Sequence, residues 1–155
     1  MTRLYPPDRF ELYQTDIEFA LRPMIRPYGC YFMSIIAAMT AYFELPFTHE
    51  GVIKLYDAEM SDGDLQNESF VKSPQHIMDD IVGQHRVMFL GIRDATYVCK
   101  TNEIEFGCWH KEGKNYNHFT HTNGKGVTLY DPWGKDGSDS VRDGKLLSTR
   151  VVMFL

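Results

Sequence analysis

Apolar and polar positions change rhythm midway along the chain. In the first half the apolar positions recur at helical spacing. Residues 16–22 predict a short helix with Thr15 as its cap, ended by Pro23. Pro27-Tyr28-Gly29 breaks the chain, and a long apolar segment follows over residues 30–43. Its Phe32, Ile35, Ile36, Met39 and Phe43 fit one helix, and Ala37, Ala38 and Ala41 favour it. Thr48 can cap a further helix over residues 49–59. Ser73-Pro74 is a start signal for another, which Gly83 is placed to end.

The second half reads as strands, over residues 86–90, 104–110, 116–122, 126–130 and 151–155. Asn123-Gly124-Lys125-Gly126 is a hairpin turn signal. Asp131-Pro132 ends a strand, because proline cannot continue the ladder. Residues 135–143 are polar and glycine-rich, and predict a surface loop. Helices followed by an antiparallel run of strands specify an α+β fold, expected to form one domain over residues 1–155.

Composition narrows the function classes. Aromatic residues at 14% and charged residues at 24% exclude a disordered chain. A net charge of -5 lacks the basic field that holds a nucleic-acid backbone. The charge-free run over residues 28–43 is shorter than the roughly 20 residues a membrane span needs. Residues 1–9 contain no apolar signal segment, so the expected compartment is the cytoplasm. An odd count of three cysteines without a secretory signal argues against a disulfide framework, and no pair has CxxC spacing.

Cys30 carries the most chemical information. It opens the long apolar helix, and a helix N-terminus presents unsatisfied N–H groups and partial positive charge that favour thiolate over thiol. Gly29 allows a sharp turn and leaves room for a substrate carbonyl. Taken alone, Cys30 also suits a small buried residue at the start of a core helix. A nucleophilic cysteine needs a base, and the base needs an orienting group. His118 and Asp131 flank the predicted hairpin. A four-residue loop over 123–126 sets Thr122 opposite Val127 and His118 opposite Asp131. A two-residue loop leaves them diagonal on one face; His121 falls on the other face in both cases. An odd loop or a bulge reverses the parity.

Tyr28-Gly29-Cys30 opening a helix, a distant His118-Phe119 strand, and Tyr130-Asp131-Pro132-Trp133 ending the next strand together resemble the papain-like cysteine peptidases. In layout the chain is similar to the compact peptidases that process bacteriocin leaders. The resemblance implies a papain-like fold, N-terminal helices packed on a C-terminal antiparallel sheet. It implies Cys30 as nucleophile, His118 as general base and acid, and Asp131 as orienter. It also implies amide hydrolysis, with a peptide, a protein tail or a peptidoglycan stem peptide as substrate and no cofactor. Such families usually place an oxyanion-binding glutamine about six residues before the cysteine, where this chain has Met24. The polar candidates for that task are Arg26, Arg22 and the more distant Gln14, with Tyr28 and Trp133 beside the site. Without a donor, the chain would be an inactive papain-like domain that binds a peptide or partner protein.

No metal is expected. Cys99, Cys108 and His110 lack a fourth ligand and the tight spacing of a zinc site. The acidic residues Asp57, Glu59, Asp62, Asp64 and Glu68 lack calcium-loop spacing, and His76, Asp79 and Asp80 read as a solvated helix face.

Overall fold

The helical half follows its apolar spacing closely, except at its start. A computed structural model describes residues 10–155. Residues 1–9, read above as lacking a signal segment, lie outside the described residues. The short helix expected over 16–22 is a 3-10 turn, Ile17–Phe19, with Asp16 at its cap position. Thr15 caps nothing; its hydroxyl donates to the Trp133 carbonyl at 2.9 Å, far along the chain. Helix α1, Ile25–Tyr28, runs through the expected break. Pro27 lies in its first turn, where a missing N–H is tolerated.

Helix α2, Cys30–Tyr42, is buried nearly all round, which makes it the central helix. Its Thr40 hydroxyl donates to the Ile36 carbonyl at 2.8 Å, so this buried polar group is satisfied. Helix α3, His49–Asp62, is capped by Thr48, whose Oγ1 accepts from the Gly51 N–H at 3.1 Å. It runs past residue 59 until Gly63 adopts φ 80°, a conformation that favours glycine. A two-stranded ribbon follows, β1 Leu65–Gln66 and β2 Phe70–Val71. Helix α4, Pro74–Val82, begins with proline and ends at Gly83, as its sequence signals.

The sheet is formed by β3 Val87–Asp94, β4 Glu103–His110, β5 His118–Thr122, β6 Thr128–Tyr130 and β7 Lys145–Phe154. All its pairings are antiparallel, in the order β3-β7-β4-β5-β6. The last strand therefore enters the middle of the sheet. One apolar cluster joins the helices to this sheet, from Phe10 through α2 to Val152. The architecture is α+β. Among the described residues no helix is long and apolar enough to cross a membrane.

Helix α2 lies along β5. Tyr31 stacks on Phe119 with ring centroids 4.5 Å apart, and the Tyr42 hydroxyl meets His121 Nε2 at 2.8 Å. This alignment carries Cys30 to the end of the sheet where His118 opens β5.

Candidate active site

Gly29 joins α1 to α2, and its role is steric. A Cβ there would lie 2.5 Å from the Ile25 carbonyl oxygen, so no larger residue fits without moving the junction. The Gly29 N–H closes α1 onto that same oxygen at 2.7 Å. Cys30 is the first residue of α2 and is buried, 8% exposed. One helical step later, the Arg26 carbonyl is the acceptor that a continuous helix would give to the Cys30 N–H. Here the Gln14 side-chain amide donates to it, at 2.6 Å. The helix is interrupted at Gly29, so α1 does not run on into α2.

The hairpin that brings His118 to Asp131 differs from both loops considered above. Thr122 pairs with Thr128, not Val127, so the loop has five residues, 123–127. The Asn123 side-chain oxygen accepts from the Lys125 and Val127 N–H groups, while Gly124 and Gly126 supply φ of 89° and 77°. Continued without interruption, that register would set Asp131 opposite Phe119, on the wrong face. The next pair is instead His121 with Tyr130, so Leu129 is an extra residue on β6. This bulge reverses the parity again. The odd loop and the bulge cancel, and His118 Nε2 meets Asp131 Oδ1 at 2.7 Å.

Asp131 is held from four directions. Besides His118, its Oδ1 accepts from the Trp133 N–H at 2.9 Å. Its Oδ2 accepts from the Ser138 N–H at 2.9 Å and the Ser138 hydroxyl at 2.7 Å. Ser138 is buried and precedes helix α5, Asp139–Arg142, without capping it. The segment expected to be a surface loop thus contributes a wall of the site. Its polar composition gave no sign of burial, because its serines are buried to hydrogen-bond rather than to pack.

Burial alone would pull the His118 pKa down. The hydrogen bond to Asp131, and then the nearby Cys30 thiol, outweigh it and raise the group to about 9. Burial pushes the Asp131 carboxyl up, but His118, the Trp133 N–H and Ser138 outweigh it and hold the group below the usual carboxylate range. At neutral pH the pair is an imidazolium and a carboxylate. The other cysteines are disfavoured as thiolates. Burial and the charges of Glu105 and Glu103 push Cys99 up to about 12. Burial also raises Cys108.

His121 has a different environment. It is fully buried between Tyr42 and the Glu105 carbonyl, which meets its Nδ1 at 3.0 Å. Burial lowers its pKa to about 4, against the opposing Glu105 carbonyl. The unfolded chain binds this proton near pH 6.5, earlier than the folded chain does. Stability from His121 is therefore complete above pH 6.5 and is lost as pH falls toward 4, on the order of 3 kcal/mol. Denaturant midpoints at pH 7 and pH 4.5 should show that loss, and His121→Phe should flatten the slope at lower overall stability.

A cleft of about 800 Å³ opens over Cys30 and His118. Gln14, Tyr28, Tyr116 and Trp133 line it, together with Lys114 and Arg142, which sequence reasoning had not singled out. Arg26 is turned elsewhere. Its guanidinium donates to the Thr15 carbonyl at 3.1 Å and lies over the Trp133 ring at 5.6 Å. Arg22 is paired with Asp57 at 2.6 Å. Of the polar residues weighed as oxyanion donors, Gln14 is the one in the cleft. The strap that carries it is tied to the end of β6. Its N–H donates to the Pro132 carbonyl at 2.8 Å, and Tyr13 stacks on Tyr130. Cys99, Cys108 and His110 form no ligand cluster among the described residues.

Residues 12–154 match the family described as "Protein of unknown function, DUF261". The chain belongs to this family. The DUF261 match spans the strap, the helices and the whole sheet, and so includes every residue of the cleft. No curated protein and no solved structure matches the chain.

Proposed function

We propose that this DUF261 protein is a papain-like cysteine hydrolase that cleaves an amide bond. The observation that carries the reading is the convergence of Cys30, His118 and Asp131 at one end of α2 and β5, under an open cleft. Asp131 occupies His118 Nε2, which leaves Nδ1 to serve the thiol. In the reaction His118 holds the proton of the thiol as an imidazolium, and Sγ attacks the carbonyl carbon. The carbon–sulfur bond forms, and negative charge collects on the carbonyl oxygen. The Cys30 N–H is one donor for that oxygen, and the Gln14 amide, held by the Arg26 carbonyl, supplies a second N–H. The carbon–nitrogen bond then breaks as His118 returns its proton to the amine. Water cleaves the thioester and regenerates the thiol.

The half-exposed Tyr28, Tyr116 and Trp133 suit an extended peptide, from a protein tail, a leader or a peptidoglycan stem. Three free cysteines support a reducing compartment such as the cytoplasm. No step calls for a cofactor. A second reading rests on Met24, which stands where papain-like enzymes usually place the glutamine: an inactive domain that binds a peptide in the same cleft.

Brief treatment of the native protein with iodoacetamide at pH 6–7, followed by mass mapping, should place the label on Cys30 ahead of Cys99 and Cys108. A mixture of unblocked peptides should be cleaved by the protein and not by Cys30→Ala. Labelling that favours Cys99 or Cys108 overturns the hydrolase reading. Slow labelling of Cys30 with peptide binding intact favours the inactive domain.

A further inference from the structure

Three carboxylates from separate elements meet where α3 ends, outside the lining of the thiol cleft. Glu59 comes from the last turn of α3, Asp64 from the turn after Gly63, and Asp80 from α4. One carboxylate oxygen of each lies within 4.8 Å of the others. Proximity of acidic groups alone does not make a site. Here Glu59 adds a second observation: it is 0% exposed, and neither of its side-chain oxygens has a hydrogen-bond partner. Buried carboxylate oxygens without partners are rare, because desolvation without compensation is costly.

The surroundings add no compensating charge. The last turn of α3 holds no basic residue, and the carbonyl end of a helix repels an anion and attracts a cation. Among the described residues no lysine or arginine pairs with any of the three carboxylates. The basic partner present is His76, whose Nδ1 meets Asp64 Oδ1 at 3.0 Å.

We propose that Glu59, Asp64 and Asp80 bind one divalent cation, with Ca²⁺ preferred over Mg²⁺. An all-oxygen donor set selects a hard cation over zinc. Ca²⁺ takes its ligands at about 2.3–2.6 Å, so oxygens on opposite sides of it stand roughly 4.6–5.2 Å apart. No two of the three oxygens stand more than 4.8 Å apart, so one cation at Ca²⁺ bond lengths can reach all of them. Mg²⁺ demands a near-ideal octahedron at about 2.0–2.1 Å and keeps most of its waters, whereas Ca²⁺ accepts the irregular set that three separate elements offer. Water completes the shell on the side of Asp80, the exposed member. In the absence of the cation a proton takes its place: burial, then Asp80 and Asp64, raise the Glu59 carboxyl to about 9. A proton serves one oxygen of one residue, whereas the cation serves all three carboxylates.

The cation would tie the end of α3 to α4 across the ribbon. The Asp64 carbonyl accepts from the Lys72 and Ser73 N–H groups, which closes the base of that ribbon. At its tip Ser69 donates to the Met24 carbonyl at 2.9 Å, just before α1 and Cys30. Ca²⁺ would thus brace the segment on which the thiol helix starts.

The test is calorimetric titration of the EDTA-stripped full chain with CaCl₂ and, separately, MgCl₂. The expected result is saturable binding of one Ca²⁺ per chain with Kd at or below about 1 mM, a raised melting temperature, and weaker Mg²⁺ binding. Asp80→Asn, at an exposed position that tolerates change, should weaken Ca²⁺ at least tenfold; so should Glu59→Gln, if it folds. Absence of saturable binding up to about 10 mM, or Ca²⁺ binding unchanged by Asp80→Asn, overturns the site. Mg²⁺ binding as tightly as Ca²⁺ overturns the preference. The result is independent of the thiol chemistry at Cys30.

Discussion

Replacing His118 with alanine is expected to lower peptide cleavage about 10³-fold or more and to slow alkylation of Cys30 at neutral pH at least about tenfold. The two readouts probe different parts of the same geometry. Cleavage needs His118 twice, to hold the thiol's proton while Sγ attacks and to give it to the leaving amine. Alkylation needs only the first of these, the imidazolium beside the sulfur. Because His118 is raised to about 9, the wild-type site keeps that imidazolium across the neutral range. The variant loses it, and its alkylation rate should climb with pH. The wild-type rate should depend less on pH. His121→Ala is the control. That residue contacts Tyr42 and the Glu105 carbonyl, so its loss lowers stability while leaving Cys30 reactivity within about tenfold. A His118→Ala variant that is alkylated as fast as the wild type would separate Cys30 from His118 and remove the hydrolase proposal.

The elements that were legible in the sequence share one property: their information is local. The bounds of α2 and α4 follow from apolar spacing, from Pro74 and from Gly83, all within a few residues of the element they define. The features that escaped are set by distant partners. Thr15 has the chemistry of a cap, but the Trp133 carbonyl claims its hydroxyl. Strand β7 begins at Lys145, well before the apolar run at residue 151, because its mixed first half pairs with β4. Ser138 and Gln14 are ordinary polar residues until the fold aims one at Asp131 and the other at the Arg26 carbonyl.

The hairpin illustrates the difference most sharply. Counting along two strands predicts which side chains share a face only if the loop length and every bulge are known. The loop at residues 123–127 is odd and β6 carries a bulge at Leu129, so two departures from the simple count cancel. His118 and Asp131 meet through a register different from the one that suggested they would. The signal for the loop was present in Asn123, whose side chain organises the turn, and in two glycines at positive φ. The signal for the bulge was not, because the residues on either side of Leu129 are ordinary strand formers.

Asp131→Ala is expected to destabilise the fold by about 3–5 kcal/mol, the usual cost of removing one partner from a buried ion pair. For a chain of this size that corresponds to roughly 6–20 °C in melting temperature. The cause is the number of groups left behind. His118 loses the carboxylate that holds its charge, and the Trp133 N–H, the Ser138 N–H and the Ser138 hydroxyl lose their acceptor in a buried site. Asp131→Asn keeps the shape and one carbonyl acceptor, so it should cost less stability. It still removes the charge that contributes most to raising His118, so the imidazolium is held less firmly. Cleavage should fall by a factor comparable to or smaller than that of His118→Ala. The His118→Ala, Asp131→Ala double variant decides whether the pair acts as one unit. With the imidazole gone no buried charge is stranded, so the double variant should be more stable than the sum of the two single losses predicts, by at least about 1 kcal/mol. Additive losses would mean that Asp131 serves Ser138 and Trp133 rather than His118, and the orienting role would pass from the histidine to the loop that carries α5.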